Sequence, residues 1–253
     1  MEKIIRDPYY IKNIEDPTEE MQLAAVSKNG ILLKYINKPT PKVIAAAIKN
    51  NVWAIEYIKN PTEEMQLAAV EEAWNTLKFI KNPSESVLKA AVAIKGWAIQ
   101  FVKNPSEEVK LAAVKSDWDA IKFIEDPSEN VQLIAVENYF AALKYIKAPS
   151  LKVKTAAIMQ NAEAVNFIDF IDEDEMRIFL EANIDIVKYI ASIVDIEMAK
   201  QILKDKLSNP GVSKEYVIKF INCDALIIDK GDFVHKYGSF EVKKIYVDYK
   251  LSY

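Results

Sequence analysis

Small and β-branched apolar residues return along this chain every 22 positions. Ala25, Ala47, Ala69, Ala91, Ala113, Ala135 and Ala157 form one column, and Val26, Ile48, Val70, Val92, Val114, Val136 and Ile158 form the next. A third recurrence is an aromatic–aliphatic pair: Tyr35-Ile36, Tyr57-Ile58, Phe79-Ile80, Phe101-Val102, Phe123-Ile124, Tyr145-Ile146, Phe167-Ile168 and Tyr189-Ile190. Prolines keep the same step at Pro17, Pro39, Pro61, Pro83, Pro105, Pro127 and Pro149, and Ile171 and Ile193 continue the register after proline drops out. The decapeptide from Pro17 to Val26 returns unchanged from Pro61 to Val70. A fixed period of this kind marks a repeat architecture, in which each unit buries its apolar face only against its neighbours.

Punctuation within the unit predicts a helical hairpin. Asp16, Asn60, Asn82, Asn104 and Asp126 precede their prolines, which offers an N-cap oxygen followed by proline at the first helical position, where no hydrogen bond is lost. Glu19, Glu63, Glu85, Glu107 and Glu129 follow, placed to close a capping box and to favour the positive helix end. This first helix should run about ten residues, roughly 15 Å. Its alanine column lets neighbouring axes approach toward the low end of the ~8–10 Å range. A short turn, with Gly30, Asn51, Gly96 or Asp117 available for a left-handed C-cap, leads to a second helix that ends on the aromatic–aliphatic pair. Neither helix reaches the ~12–15 residues an isolated helix needs in water, so both depend on stacking. The expected fold is an all-α solenoid.

The ends depart from the pattern. Residues 1–16 read as an N-terminal cap in which Ile11 and Ile14 imitate the end of a second helix, residues 17–209 as the solenoid, and residues 210–253 as a C-terminal cap. Phe179 stands where the alanine column should continue, so packing must change there. The register is lost after Leu203. Asn209-Pro210-Gly211 is a turn, and Tyr216 to Ile221 resembles a displaced second helix. Residues 225–228 and 240–247 cluster or alternate like strands around Gly231 and Gly238, so a small β-hairpin is one form the cap can take.

Composition narrows the function classes. Hydrophobic residues make up 51% and charged residues 28% of the chain, as in an ordinary folded protein. Only five glycines are present, against glycine-rich phosphate loops, and the net charge of −4 is not that of a protein gripping nucleic acid over its whole surface. Cys223 is the single cysteine, which excludes an internal disulfide and fits a reducing cytoplasm. The first residues show no secretion signal and no stretch approaches a membrane span, so a cytoplasmic protein without membrane partners is expected.

The units running Ile-Lys-Asn-Pro-Ser/Thr-Glu and continuing Leu-Ala-Ala-Val, as at 58–70 and 102–114, are similar to short helical repeats in proteins of large bacteriophages and giant viruses, including a repeat family of unknown function. The resemblance covers roughly residues 11–190. It implies a viral protein acting in the cytoplasm of an infected host, and it carries over no catalytic residues.

Candidate chemistry is sparse. His235 and Cys223 cannot supply a zinc ligand set, and a catalytic arrangement of the two would lie in residues 211–253. The acidic run Asp169, Asp172, Glu173, Asp174 and Glu175 reads as a solvated helix start or a metal site; no cofactor or metal is expected. Two features stand out. Trp53, Trp74, Trp97 and Trp118, continued by Phe140, recur near the start of the second helix and either plug gaps between hairpins or form an outward ladder for a protein partner. Lysines gather on that helix and just after it; Lys78, Lys81, Lys122, Lys144, Lys147 and Lys188 are candidates for binding an anion. The leading expectation is a non-enzymatic protein-binding scaffold, a viral factor that blocks a host defence protein. The alternative is nucleic-acid or nucleotide binding along the lysines.

Overall fold

The computed structural model describes residues 1–252, and no β-strand occurs among them. The fold is an all-α solenoid of stacked helix pairs, divided into two compact units, residues 1–126 and the residues from Pro127 onward.

In the first unit a short helix, Glu2–Arg6, precedes five α-helices: Glu19–Val26, Pro41–Asn50, Glu63–Glu72, Glu85–Ile94 and Glu107–Ser116. Each is followed by a second helix of only six residues, and this element is a 3₁₀ helix, not an α-helix: Gly30–Tyr35, Val52–Tyr57, Trp74–Phe79, Gly96–Phe101 and Trp118–Phe123. Residues Pro8–Asn13 form a 3₁₀ helix of the same length ahead of the first repeat. The aromatic residue closes each 3₁₀ helix, and the aliphatic residue after it is the extended cap, as at Ile58 (φ −100°, ψ 120°).

The α-helices do not start where the asparagine–proline signal places them. The cap is the residue after proline: Thr18, Thr62, Ser84, Ser106, Ser128 and Ser150 accept a hydrogen bond from the third helical N–H, at 3.2–3.4 Å. The glutamate thus becomes the first helical residue and cannot close a capping box on Asp or Asn. Only Pro41 stands at the first helical position, behind Thr40. Asn104 and Asp126 serve the turn instead, with φ of 49° and 46°, in the left-handed region that Asn and Asp tolerate. The expected left-handed C-caps are absent as well. Asn51 and Asp117 are extended, with φ of −156° and −138°, and no described glycine has positive φ.

Three of these capping hydroxyls also tie one repeat to the last. Ser84 donates to Glu63 Oε1 at 2.7 Å, Ser106 to Glu85 at 2.6 Å and, in the second unit, Ser150 to Glu129 at 2.6 Å. Replacing Ser106 with alanine removes the cap and this link together. A loss of about 1 kcal/mol is expected, read as a lowered urea midpoint.

The alanine and β-branched columns are the core. Ala25, Ala47, Ala69, Ala91 and Ala113 are fully buried, as are the valines beside them. From the 3₁₀ helices the third and fourth residues enter the core, for example Ala54 and Ile55, Thr76 and Leu77, Ala98 and Ile99. Burying a Leu or Ile side chain contributes roughly 1.5–3 kcal/mol, which holds a helix type of poorer hydrogen-bond geometry in place. Gly30 and Gly96 open their 3₁₀ helices where an added Cβ would fall on the carbonyl oxygens of Ala47 and Ala113. Their N–H groups donate to Asn50 and Asp117 at 2.7 and 2.6 Å.

The second unit begins with two regular repeats, Glu129–Asn138 with Phe140–Tyr145 and Leu151–Gln160 with Ala162–Phe167. Helix Glu173–Ala182 then packs with fully buried Phe179 in place of alanine, and the 3₁₀ turn Ile184–Ile186 passes into an α-helix, Val187–Ile190. Four α-helices follow: Ile196–Ser208, Lys214–Ile221, Lys230–Tyr237 and Phe240–Leu251. Residues 240–247 are therefore helical rather than a strand. Ser239 caps them through the Val242 N–H at 3.3 Å, and only Val242 of that helix is buried. Tyr216 to Ile221 is helical, as part of the α-helix Lys214–Ile221 capped by Ser213. No helix among the described residues is long and apolar enough to cross a membrane.

Candidate interaction surface

A 3₁₀ helix has three residues per turn, so its second and fifth residues eclipse each other. With the third and fourth residues buried, the second and fifth face outward. In the first unit the second residues are Ile31, Trp53, Asn75, Trp97 and Asp119, and the fifth are Lys34, Glu56, Lys78, Gln100 and Lys122. The tryptophans therefore do not form one column. Trp53 and Trp97 are second residues, whereas Trp74 and Trp118 are first residues, so the decoration alternates from repeat to repeat and returns after two.

All four tryptophans are half-buried, neither core plugs nor free rungs. Trp53 packs edge-to-face on Phe79 of the next repeat with ring centroids 6.0 Å apart, and Trp97 does the same with Phe123 at 6.0 Å. Trp74 stacks on Phe101 at 6.2 Å. Phe79, Phe101 and Phe123 thus each carry the tryptophan of the repeat before; Phe101 and Phe123 keep an open edge, as do Tyr35 and Tyr57, all 36–38% exposed. These rings belong to the surface, although the sequence marks them only as helix ends.

Lysines cover two of the tryptophans. Lys78 lies 5.3 Å from the Trp53 ring centre and 4.7 Å from that of Phe79; Lys122 lies 3.8 Å from Trp97 and 5.0 Å from Phe123. Around Trp97 the cluster closes further. Its indole N–H donates to Asp119 Oδ1 at 2.6 Å, and Lys122 bridges to Asp119 Oδ2 at 2.8 Å, the eclipsed pair of one 3₁₀ helix. Burial opposes ionisation of Asp119 and is the largest single influence on it. The hydrogen bonds from Lys122 and Trp97, with the charges of Lys122 and Lys95, outweigh it, so its carboxyl titrates below the usual range. A depressed carboxylate contributes stability that is complete above its unfolded pKa of ~3.9 and is lost as pH falls through the lower folded value. Tryptophan emission should accordingly change at a midpoint below ~3.9, and Asp119→Asn should remove that transition.

The six candidate lysines separate by their engagement. Lys78 and Lys122 are held over tryptophan, as described. In the second unit Lys144 lies 4.7 Å from the Tyr145 ring centre, and Lys188 bridges to Asp185 at 2.7 Å, a bond that raises the pKa of the lysine. Lys81 and Lys147 are exposed in the turns after Ile80 and Ile146 and make no ion pair among the described residues. Phe140 is only 6% exposed; it stacks on Phe167 at 6.1 Å and belongs to the core of the second unit. The six lysines therefore differ in their engagement, and only Lys81 and Lys147 stand clear of both ring and carboxylate among the contacts described.

The remaining candidates are not brought together. His235 is exposed on helix Lys230–Tyr237, whereas Cys223 is fully buried, and burial raises its thiol pKa. In the acidic run Asp172 caps its helix through the Glu175 N–H at 2.8 Å, and Glu175 bridges to Lys154 at 2.6 Å. No group of His, Cys, Asp and Glu among the described residues is arranged to hold a metal. A cavity of about 490 Å³ opens where the repeat fails, beside Glu181, Lys206, Glu215 and Tyr216. Two of its groups are already engaged: Tyr216 donates to the Leu180 carbonyl at 3.0 Å, and Glu215 pairs with Lys219 at 2.7 Å.

Compared with known proteins, the chain matches no family model, no curated protein and no solved structure.

Proposed function

We propose that the chain is a non-enzymatic scaffold that binds a partner protein through the aromatic–lysine surface of its first unit. The observation that carries this reading is the set of half-buried tryptophans, three of them seated on a ring of the next repeat and two covered by a lysine. Tryptophan on a rigid element offers large contact area at small entropic cost, and such residues dominate binding energies when a partner completes their burial. Lysines lying along aromatic faces add charge without projecting freely. The further reading, a viral factor acting on a host defence protein, draws its support from the resemblance of the repeats alone.

Affinity capture with the immobilised protein tests the reading. A stoichiometric partner should be recovered by the wild type, and Trp97→Ala should weaken it by about 2 kcal/mol or more, roughly thirtyfold. Recovery of no stoichiometric partner by the wild type counts against the scaffold.

The second reading, nucleic-acid binding, is favoured only by the exposed turn lysines. It predicts affinity that falls steeply with salt and is lost on charge reversal at the turn lysines Lys59, Lys81 and Lys103.

A further inference from the structure

Beside the aromatic column, between consecutive proline turns of the first unit, lies a groove of about 560 Å³. Its lining includes Tyr57 and Phe79, the lysines Lys59 and Lys81 with one carboxylate, Glu56, and Gln66 of helix Glu63–Glu72. Gln66 is 8% exposed. Its Nε2 donates to the Pro61 carbonyl at 3.0 Å, while its Oε1 is buried with no hydrogen-bond partner. The Nε2 bond fixes the orientation of the amide, because the reverse orientation would set two oxygens face to face. An acceptor is left waiting for a donor.

The arrangement is repeated, not accidental. Gln22 stands two repeats earlier, also 8% exposed, with Nε2 on the Pro17 carbonyl at 2.8 Å and Oε1 without a partner. The repeats between and after carry Ile44 and Leu88 at the same position, so the fold itself accepts an aliphatic side chain there. Glutamine leaves a buried acceptor unsatisfied, which is costly unless something donates to it.

Charge selects among occupants. Lys59, Lys81 and Lys103 follow one another at one per repeat, exposed and without an ion pair among the described residues; the adjoining groove, about 610 Å³, continues past Phe101 to Lys103. The groove at Gln22 has the opposite rim, Glu15 and Asp16 with Lys38. Repeat axes ~8–10 Å apart match about three residues of extended chain at ~3.3 Å each. Three lysines over two such steps are sparse for a polyanion with the charge density of nucleic acid. They suit scattered carboxylates, and an extended peptide presents an N–H donor at every residue.

We infer that the groove beside Gln66 seats an extended acidic segment of the partner protein, with a backbone N–H donating to Gln66 Oε1, carboxylates on Lys59, Lys81 and Lys103, and apolar side chains on Phe79 and Phe101. This rests on the protein-binding reading and specifies the partner's chemistry.

The probe is a fluorescein-labelled octapeptide of alternating Glu and Val, followed by anisotropy at low salt. It should bind the full chain. Gln66→Leu, which copies Leu88, should weaken binding about tenfold without lowering the urea midpoint, and Lys81→Glu should weaken it further. N-methylation of alternate peptide amides should weaken binding to the wild type and leave binding to Gln66→Leu unchanged. Binding indifferent to both Gln66→Leu and N-methylation overturns the inference. So does an oligothymidylate that binds more tightly than the peptide, with the same dependence on Lys81. No peptide binding, while Trp97-dependent capture of a protein partner persists, overturns the inference and leaves the scaffold standing; loss of both overturns both.

Discussion

Phe179→Ala should lower the stability of the second unit by about 3–5 kcal/mol, seen as a large fall in its urea midpoint. Phe179 is fully buried in helix Glu173–Ala182, at the register position that alanine fills in every earlier repeat. The helices around it are spaced for a ring. Helix Ile196–Ser208 is longer than its counterparts, and Asn183, 2% exposed, donates to the Ile158 carbonyl at 2.8 Å, fixing the backbone beside the site. Truncation therefore leaves a cavity that these neighbours cannot close. An alanine variant of undiminished midpoint would mean that the helices are free to move together, and the ring is not what separates them.

Ala91→Phe is the reverse experiment, and its cost should also be large, about 3 kcal/mol, at the upper end of the range for overfilled cores. Ala91 is fully buried in helix Glu85–Ile94, between the helices of the repeats before and after. The Ser106–Glu85 link holds the next helix at its present distance. A ring there must either break that link or leave its rotamer. The measurement is the urea midpoint of the first unit, with Ser106→Ala as partner in a double-mutant cycle. Because both changes strain the same interface, the combined loss should be smaller than the sum.

The same position taking alanine in one setting and phenylalanine in another explains why so much of the fold was legible. The alanine and β-branched columns report directly on helix spacing, and a period of 22 leaves no other way to bury them. Cap placement was less legible. Both Asn60 and Thr62 are good capping residues, and only the turn geometry decides that Thr62 holds the Met65 N–H while the residue before proline serves the loop. The 3₁₀ character of the second helix was also hidden, since six residues fit either helix type. It follows from the extended residues on both sides, Asn51 and Ile58.

For the candidate surface, the residue types were readable and their grouping was not. Tryptophans 21 or 23 positions apart look like one irregular column, whereas they are two columns of period 44. Asp119 gave no signal until its eclipsed partner Lys122 and the indole of Trp97 were seen around it. Gln66 did leave a trace: one position of the 22-residue step reads Gln22, Ile44, Gln66, Leu88, Lys110 and Gln132, varying where the alanine column is fixed. At 240–247 the alternation of apolar residues points to a strand, yet Glu241, Lys243 and Lys244 are good helix formers and Ser239 supplies the cap.

The two-repeat alternation also determines how the array can lengthen or shorten without losing its face. Excising residues 61–82 would keep the hairpin stacking but bring Trp53 against the repeat of Trp97, with Gln100 where Lys78 had been. Excising residues 61–104 would instead set Trp53 beside Asp119, Lys122 and Phe123, the surroundings that Trp97 has now. The heritable quantum of this surface is therefore a pair of hairpins, and an odd change in their number puts the pattern out of phase even where the core remains intact.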